Sequence, residues 1–418
     1  MQNADKIPDR ISRGGTGERN LDFDRYIERR NTDSLKYDFA VRRGRPADVL
    51  PLWVADMDFQ TSGFIIDALT QRAQHGIFGY TETREDYFEA VAGWMKRHHG
   101  MDLKINWLVK TPGVVFALAM AVRAYTEPGD AVLIQQPVYY PLTEVVVENK
   151  RKLVSNDLVS GSDGKYRIDF EDFERKIVDH RIKLFMFCSP HNPVGRVWTV
   201  EELQKLAEIC IRHRVIVVSD EIHEDFVCPG HKHTPLLTVN PGLEELCVTC
   251  TSPSKTFNLA GLQIANIIIP DRKLRHAFRA QVSAAGYSQL NSFGVTACKA
   301  AYTKGDEWHA AVLRYIHENL DFLRDYLKRE LPQIRLVEPE GTYLVGLDLT
   351  ALGLDAVELE DLITKKAGLW LDNGLIFGKT GEGYERINIA TNRSILQEAL
   401  DRIRQAVKQY EKRTDEAG

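Results

Sequence analysis

The chain has 418 residues, 44% of them hydrophobic, and 54 basic against 59 acidic side chains for a formal charge of −5. That composition excludes general disorder and predicts two to three domains with sizeable cores. No basic block stands out, and the longest apolar run, 114–122, is half the ~18–20 residues of a membrane span, so neither nucleic acid nor membrane is an expected partner. The polar start, residues 1–10, carries no signal-peptide apolar stretch, and six scattered cysteines form no disulfide framework, so a cytoplasmic protein is expected.

The first fifty residues are irregular and charged. Gly14-Gly15-Thr16-Gly17 is glycine-rich, but no strand precedes it, which makes it a weak phosphate loop. A helix is predicted over 114–126, stopped by Glu127-Pro128-Gly129-Asp130. Apolar strands follow at 131–136, 183–188, 215–219, 246–251 and 264–269, with an amphipathic helix at 201–214 between them. Strands alternating with helices predict an α/β fold with a mainly parallel sheet and helices on both faces. Near residue 290 the pattern changes. One long helix over 308–331 ends at Pro332, followed by strands 334–337 and 342–349, helix 357–367, strand 386–390 and a charged helix 396–412. This part reads as a smaller α+β domain. The expected division is an N-terminal segment 1–50, joined to the small domain, a large domain 51–290, and the small domain 291–418.

Cys247 and Cys250 have metal-like spacing, but three residues apart on a strand they face opposite sides, so they are read as core thiols. His98-His99 and the pair His231/His233 have no neighbouring partner cluster in the sequence and are read as surface or loop histidines.

Ligands of such sheets bind beyond the carboxyl ends of the strands. Lys255, in Ser252-Pro-Ser-Lys-Thr-Phe-Asn258, follows a buried strand. Desolvation there would make it a Schiff-base nucleophile, and Ser252 and Ser254 could bind phosphate; taken alone, a solvated loop lysine is the simpler reading. Asp220 ends another strand and needs a cation or a donor, whether a protonated pyridine nitrogen, a buried ion pair or a helix cap. Asn192 lies in a turn flanked by two prolines and could donate to a phenolate oxygen. Gly113, Val114 and Val115 open a helix whose free N–H groups could cup an anion. Tyr139 could stack on a flat ring or pack in the core, and Arg386 could clasp a carboxylate or make a surface ion pair.

The order of these features resembles the fold type I pyridoxal-phosphate enzymes, the aminotransferase class I/II superfamily, from about residue 30 to about residue 410. Leu52-Trp-Val-Ala-Asp-Met-Asp-Phe59, His75-Gly-Ile-Phe-Gly-Tyr-Thr81, Ser219-Asp-Glu-Ile-His223 and Pro253-Ser-Lys-Thr-Phe-Asn-Leu-Ala-Gly-Leu-Gln263 are similar to the MalY/PatB group of cystathionine β-lyases and cysteine C–S lyases. The resemblance implies a seven-stranded sheet and pyridoxal 5′-phosphate as cofactor. It implies that Lys255 binds the cofactor aldehyde, Asp220 its pyridine nitrogen and Asn192 its phenolic oxygen, while Tyr139 stacks on the ring. Gly113, Val114, Val115, His223, Ser252 and Ser254 complete the cofactor site, and Arg386, Asn192 and Trp53 receive the amino-acid substrate. Tyr80 would act with Lys255 in catalysis by reaching the phosphate of a partner subunit, which implies a homodimer with shared active sites. Gln263 and His223 stand where aminotransferases often carry Arg and Tyr. The implied reaction is β-elimination from cystathionine or a related cysteine thioether. An aminotransferase is the first alternative, and a regulator-binding protein with secondary lyase activity the second.

Overall fold

The computed structural model describes residues 21–161 and 163–417, with side chains through Lys412; the Gly14–Gly17 run lies outside them. Seven strands form the central sheet: β1 (Leu108–Thr111), β2 (Ala131–Ile134), β3 (Lys152–Ser155), β4 (Leu184–Cys188), β5 (Ile216–Asp220), β6 (Cys247–Thr251) and β7 (Ala265–Ile268). Their order is β1-β7-β6-β5-β4-β2-β3. β2 to β6 pair in parallel, and β7 runs antiparallel to β6 and β1. Every residue of β2, β4, β6 and β7 is buried, because helices cover both faces; this is why these strands read as continuous apolar runs. Alternation still sorts the side chains. Phe185 and Phe187 enter one core while Leu184, Met186 and Cys188 enter the other. Cys247 and Cys250 likewise fall in different cores, as their spacing requires, and all six cysteines are buried and free.

The chain leaves β2 outward to β3 and returns to the opposite side of β2 as β4. This reversal opens a crevice at the carboxyl ends of β2 and β4. The loops that follow the two strands close on each other there, where Tyr139 N–H donates to Asn192 O (2.9 Å).

The long helix is Asp306–Glu330, as its periodicity predicts. Beyond it an antiparallel sheet is built from β8 (Arg335–Val337), β9 (Leu344–Asp348), β10 (Asp372–Asn373) and β11 (Tyr384–Asn388) in the order β8-β9-β11-β10. Arg386 sits at the centre of β11 rather than at its head, opposite Gly346. The helix predicted over 357–367 begins as α-helix Ala356–Glu360 and continues as the wider π form over Asp361–Lys366. Leu50–Pro51 pairs in parallel with Leu369–Trp370, which draws the following segment, Leu52–Phe59, along the edge of this sheet toward the crevice. No helix among the described residues is long and apolar enough to cross a membrane.

Candidate active site

The site is assembled around the carbonyls of the Trp53-Val-Ala-Asp56 segment. Two asparagines fix its path. Asn388 on β11 donates its amide to Val54 O and Asp56 O (both 2.6 Å). Asn258 accepts from Met57 N–H (3.0 Å) and donates to Met57 O and Phe59 O (2.9 and 3.0 Å). Held this way, Ala55 O accepts from Lys255 Nζ (2.7 Å) and from the Tyr343 hydroxyl (3.1 Å), and Trp53 O accepts from Arg386 Nη2 (2.8 Å).

Lys255 lies on a single helical turn, Pro253–Thr256, just past β6. Ser252 starts that turn: its hydroxyl accepts from Ser254 N–H (3.1 Å) and donates to Ile264 O (2.7 Å). Ser252 is thereby committed to shaping the turn, while Ser254 is half-buried beside it. Burial depresses the Lys255 amine to about 8, with Asp56 pulling it up, Arg386 pushing it down and Asp220 pulling it up.

Asp220 is buried at the carboxyl end of β5, and its carboxylate accepts one hydrogen bond among the described residues, from Ile222 N–H (3.2 Å). Burial raises its carboxyl to about 7 against the opposing effects of that N–H and of Lys255. His223 is buried three residues on; burial, Lys255 and Arg386 drive its imidazole well below the usual histidine range, and Nδ1 has no hydrogen-bond partner among the described residues. Arg386 is 4% exposed. Nη1 donates to Asn192 Oδ1 (2.9 Å), Nη2 also reaches Asp372, and the guanidinium lies 4.8 Å over the Phe377 ring. At the other wall, Gly113 starts the helix Val114–Tyr125 with φ +145°, and a Cβ there would meet nothing within 4 Å. The first N–H groups of Val114 and Val115 therefore open onto uncrowded space. Tyr139 is half-buried between this helix's core and the crevice.

The structure thus brings Lys255, Asp220, His223, Asn192, Arg386 and Tyr139 to one crevice. Two expected residues behave differently. Tyr80 is 94% exposed. Trp53 offers its carbonyl, since its ring stacks on Trp370 (4.3 Å, 12° between planes). The surface reading holds for exposed His231 and half-buried His98 and is corrected for the other two. His99 and His233 are 9% and 4% exposed, with ring centroids 5.6 Å apart, and they bond Asp225 and Glu221. Their partners come from the loop after β5, a proximity that only the fold creates.

Asn258, Asn388, Tyr343 and Asp372 were not singled out as site residues. A period-of-two signal was available for Asn388, which must share a strand face with Arg386. Asp372 and Tyr343 carry no comparable signal.

The model of the family "Aminotransferase class I and II" matches residues 47–403. The chain belongs to that family. Cystathionine beta-lyase PatB of Bacillus subtilis is 45% identical over 387 residues, covering 93% of this chain and all of that protein. Protein MalY of Escherichia coli is 32% identical over 390 residues, 93% of this chain and 99% of its own length. Among solved structures, cystalysin from Treponema denticola, which contains a pyridoxal 5′-phosphate cofactor, superposes with a TM-score of 0.90 at 38% identity, covering 93% of this chain and 99% of that one.

Proposed function

We propose that the chain is a pyridoxal-phosphate-dependent carbon–sulfur β-lyase acting on cystathionine or related cysteine thioethers. The observation that carries this reading is the pairing, in one crevice, of an amine depressed to about 8 with a buried guanidinium that faces Asn192. The 45% identity to a cystathionine β-lyase selects the lyase branch of the family. The residues fit the cofactor. Lys255 is an amine able to react with an aldehyde, Asp220 is a carboxyl poor in donors and suited to a cationic ring nitrogen, and the Gly113 helix start suits a phosphate. When bound, the cofactor supplies an electron sink that makes the Cα–H of an attached amino acid acidic.

The protein's own groups do the rest. Arg386 and Asn192 hold the α-carboxylate and so fix which Cα bond is presented. The Lys255 amine takes the Cα proton, and an amine depressed to about 8 has a far larger neutral fraction at physiological pH than an ordinary lysine, roughly a fifth. Departure of the thiolate from Cβ, followed by hydrolysis, leaves thiol, pyruvate and ammonia. Asp220 favours the charge-accepting form of the ring, and His223, kept neutral, adds no competing charge.

We also propose that the enzyme works as a cytoplasmic homodimer, with Tyr80 serving the partner's site. What supports this is the exposure of Tyr80 beside Ile77 (66%) and Phe78 (60%), apolar side chains suited to cover by a second copy. Residues 51–290 are assigned to the larger domain and 291–418, with the N-terminal segment, to the smaller; the Leu50–Pro51 pairing with Leu369–Trp370 supports the latter grouping. Purified enzyme incubated with cystathionine or S-alkyl cysteines and no 2-oxo acid tests the activity. Thiol, pyruvate and ammonia in equal amounts are expected. Absence of thiol, with rapid amino-group exchange once a 2-oxo acid is added, would make it an aminotransferase instead.

A further inference from the structure

Behind the turn that carries Lys255 lies a second polar cluster that the reaction does not use. His99 ends the helix Glu85–His99, while Glu224 and His233 belong to the loop after β5. All three are at least nine-tenths buried, and one ligand-capable atom from each lies within 4.8 Å of the others. Two of the donors have no partner. Glu224 Oε2 and His233 Nδ1 are buried without a hydrogen bond among the described residues. His99 Nε2 lies 3.8 Å from Glu224 Oε2.

The surroundings are arranged as around a metal. His233 donates through Nε2 to Glu221 Oε2 (3.0 Å), and Glu221 is itself fixed by the Ser219 hydroxyl (2.7 Å) and Leu236 N–H (3.1 Å). That bond sets the tautomer so that the Nδ1 lone pair faces the cluster, the carboxylate–histidine pattern that orients metal ligands. His99 Nε2 contacts Asp225 (2.8 Å), and Asp225 also accepts from the Trp94 indole (3.1 Å) and the Thr256 hydroxyl. If His99 gives its Nε2 lone pair to an ion, Asp225 therefore stays partnered.

We propose that His99, Glu224 and His233 bind one divalent transition-metal ion of the zinc class, with a water in the fourth position. Two imidazoles and one carboxylate are a zinc-type donor set, too nitrogen-rich for calcium or magnesium. At zinc–ligand distances of about 2.0–2.2 Å, tetrahedral donors lie about 3.3–3.6 Å apart, so the cluster needs a contraction of roughly 1 Å, within reach of a glutamate rotation. Loading requires His99 as the neutral Nδ1–H tautomer: the Nε2 proton leaves, to solvent from an imidazolium or by transfer to Nδ1 from the neutral ring, and any proton on Glu224 goes to solvent. The ion joins the Glu85–His99 helix to the 221–236 loop. Asp225 links that junction to Thr256, the residue after Lys255, so the ion braces the turn from behind. This assignment does not depend on which reaction the crevice catalyses.

The test uses untagged holoenzyme dialysed against metal-free buffer. Elemental analysis should find close to one zinc per chain, directly or after zinc addition, and X-ray absorption at the zinc edge should show only nitrogen and oxygen neighbours. A chelator should lower Tm by several degrees and zinc should restore it. Glu224→Gln, which keeps the side-chain volume, and His99→Asn should abolish both zinc retention and the chelator effect while the cofactor absorbance persists. Less than about 0.1 zinc per chain after zinc addition, with Tm indifferent to zinc and chelator, would overturn the proposal. So would sulfur in the metal shell, or full zinc retention by Glu224→Gln.

Discussion

Asp58 and Asp220 are buried to the same degree, 4% and 3% exposed, and their carboxyls move in opposite directions. Burial pushes Asp58 up, but Lys36 (2.8 Å) and Arg29 (2.8 Å) outweigh it and hold it below the usual carboxylate range. Asp220 meets burial with one backbone N–H and a more distant amine, and rises to about 7. The Asp58 cluster is saturated: Lys36 is 0% exposed, and Arg29 also binds Asp56 (2.6 Å). It anchors the stretch from Arg29 to Lys36 to the segment that carries the Ala55 carbonyl. The crevice is cation-poor at Asp220 and leaves Arg386 Nε and His223 Nδ1 without hydrogen-bond partners among the described residues. A buried charge that is fully paired is scaffold; one left short of partners at a strand end is suited to a ligand.

That contrast can be broken from either side. The largest effect is expected from Lys255→Ala, which removes the proton acceptor. Turnover should fall by ~10³-fold or more, and the visible absorbance of the lysine-bound cofactor should be lost. On the saturated side, Asp58→Asn removes the carboxylate 2.8 Å from the buried Lys36 and leaves it, among the described residues, the Asp56 carboxylate at 3.7 Å. This should cost ~3–5 kcal/mol in chemical denaturation, with a smaller loss of kcat/KM in the folded enzyme than Asp220→Asn gives. Asp220→Asn should reverse that profile, with kcat/KM down ~10²–10³-fold and no loss of stability in the cofactor-free protein.

The two carboxyls also differ in how they respond to pH. Asp220 ionises near ~4 in the unfolded chain and near 7 in the fold. The fold therefore holds an extra proton between those values, and the stability this lends is lost as pH rises through the window. Cofactor-free Asp220→Asn should have a higher Tm than wild type at pH ~8 and the same Tm near pH ~4. The smallest effect is expected from Arg386→Ala. Losing one charged contact to the α-carboxylate is worth ~1.5–3 kcal/mol, read as a rise in KM common to all thioether substrates.

Much of this was legible in the sequence for a physical reason. The strands of a doubly covered sheet are rich in apolar and β-branched residues with few charges, so β4, β5 and β6 announce themselves, and with them the positions of Asp220 and Lys255 at their ends. Strand ends were less visible. β2 stops at Ile134 rather than 136 because the chain turns into Gln136-Pro137, where proline cannot continue the ladder. Contacts far apart in sequence were not legible at all. His99 and Asp225 lie 126 residues apart, and Lys255 and Ala55 lie 200 apart. Nothing local marks His99 as a core residue or the Ala55 carbonyl as the lysine's acceptor. Arg29 and Lys36 likewise read as part of a charged, irregular segment until the fold sets them on Asp56 and Asp58.

The most direct test follows the Asp220 carboxyl itself, isolated as the infrared difference between wild type and Asp220→Asn. Without cofactor, the protonated band should titrate with a midpoint of about 7. At neutral pH it should vanish when pyridoxal phosphate binds, because a cationic ring nitrogen stabilises the carboxylate. A midpoint below ~5 without cofactor, or a protonated band that survives cofactor binding, would contradict the account.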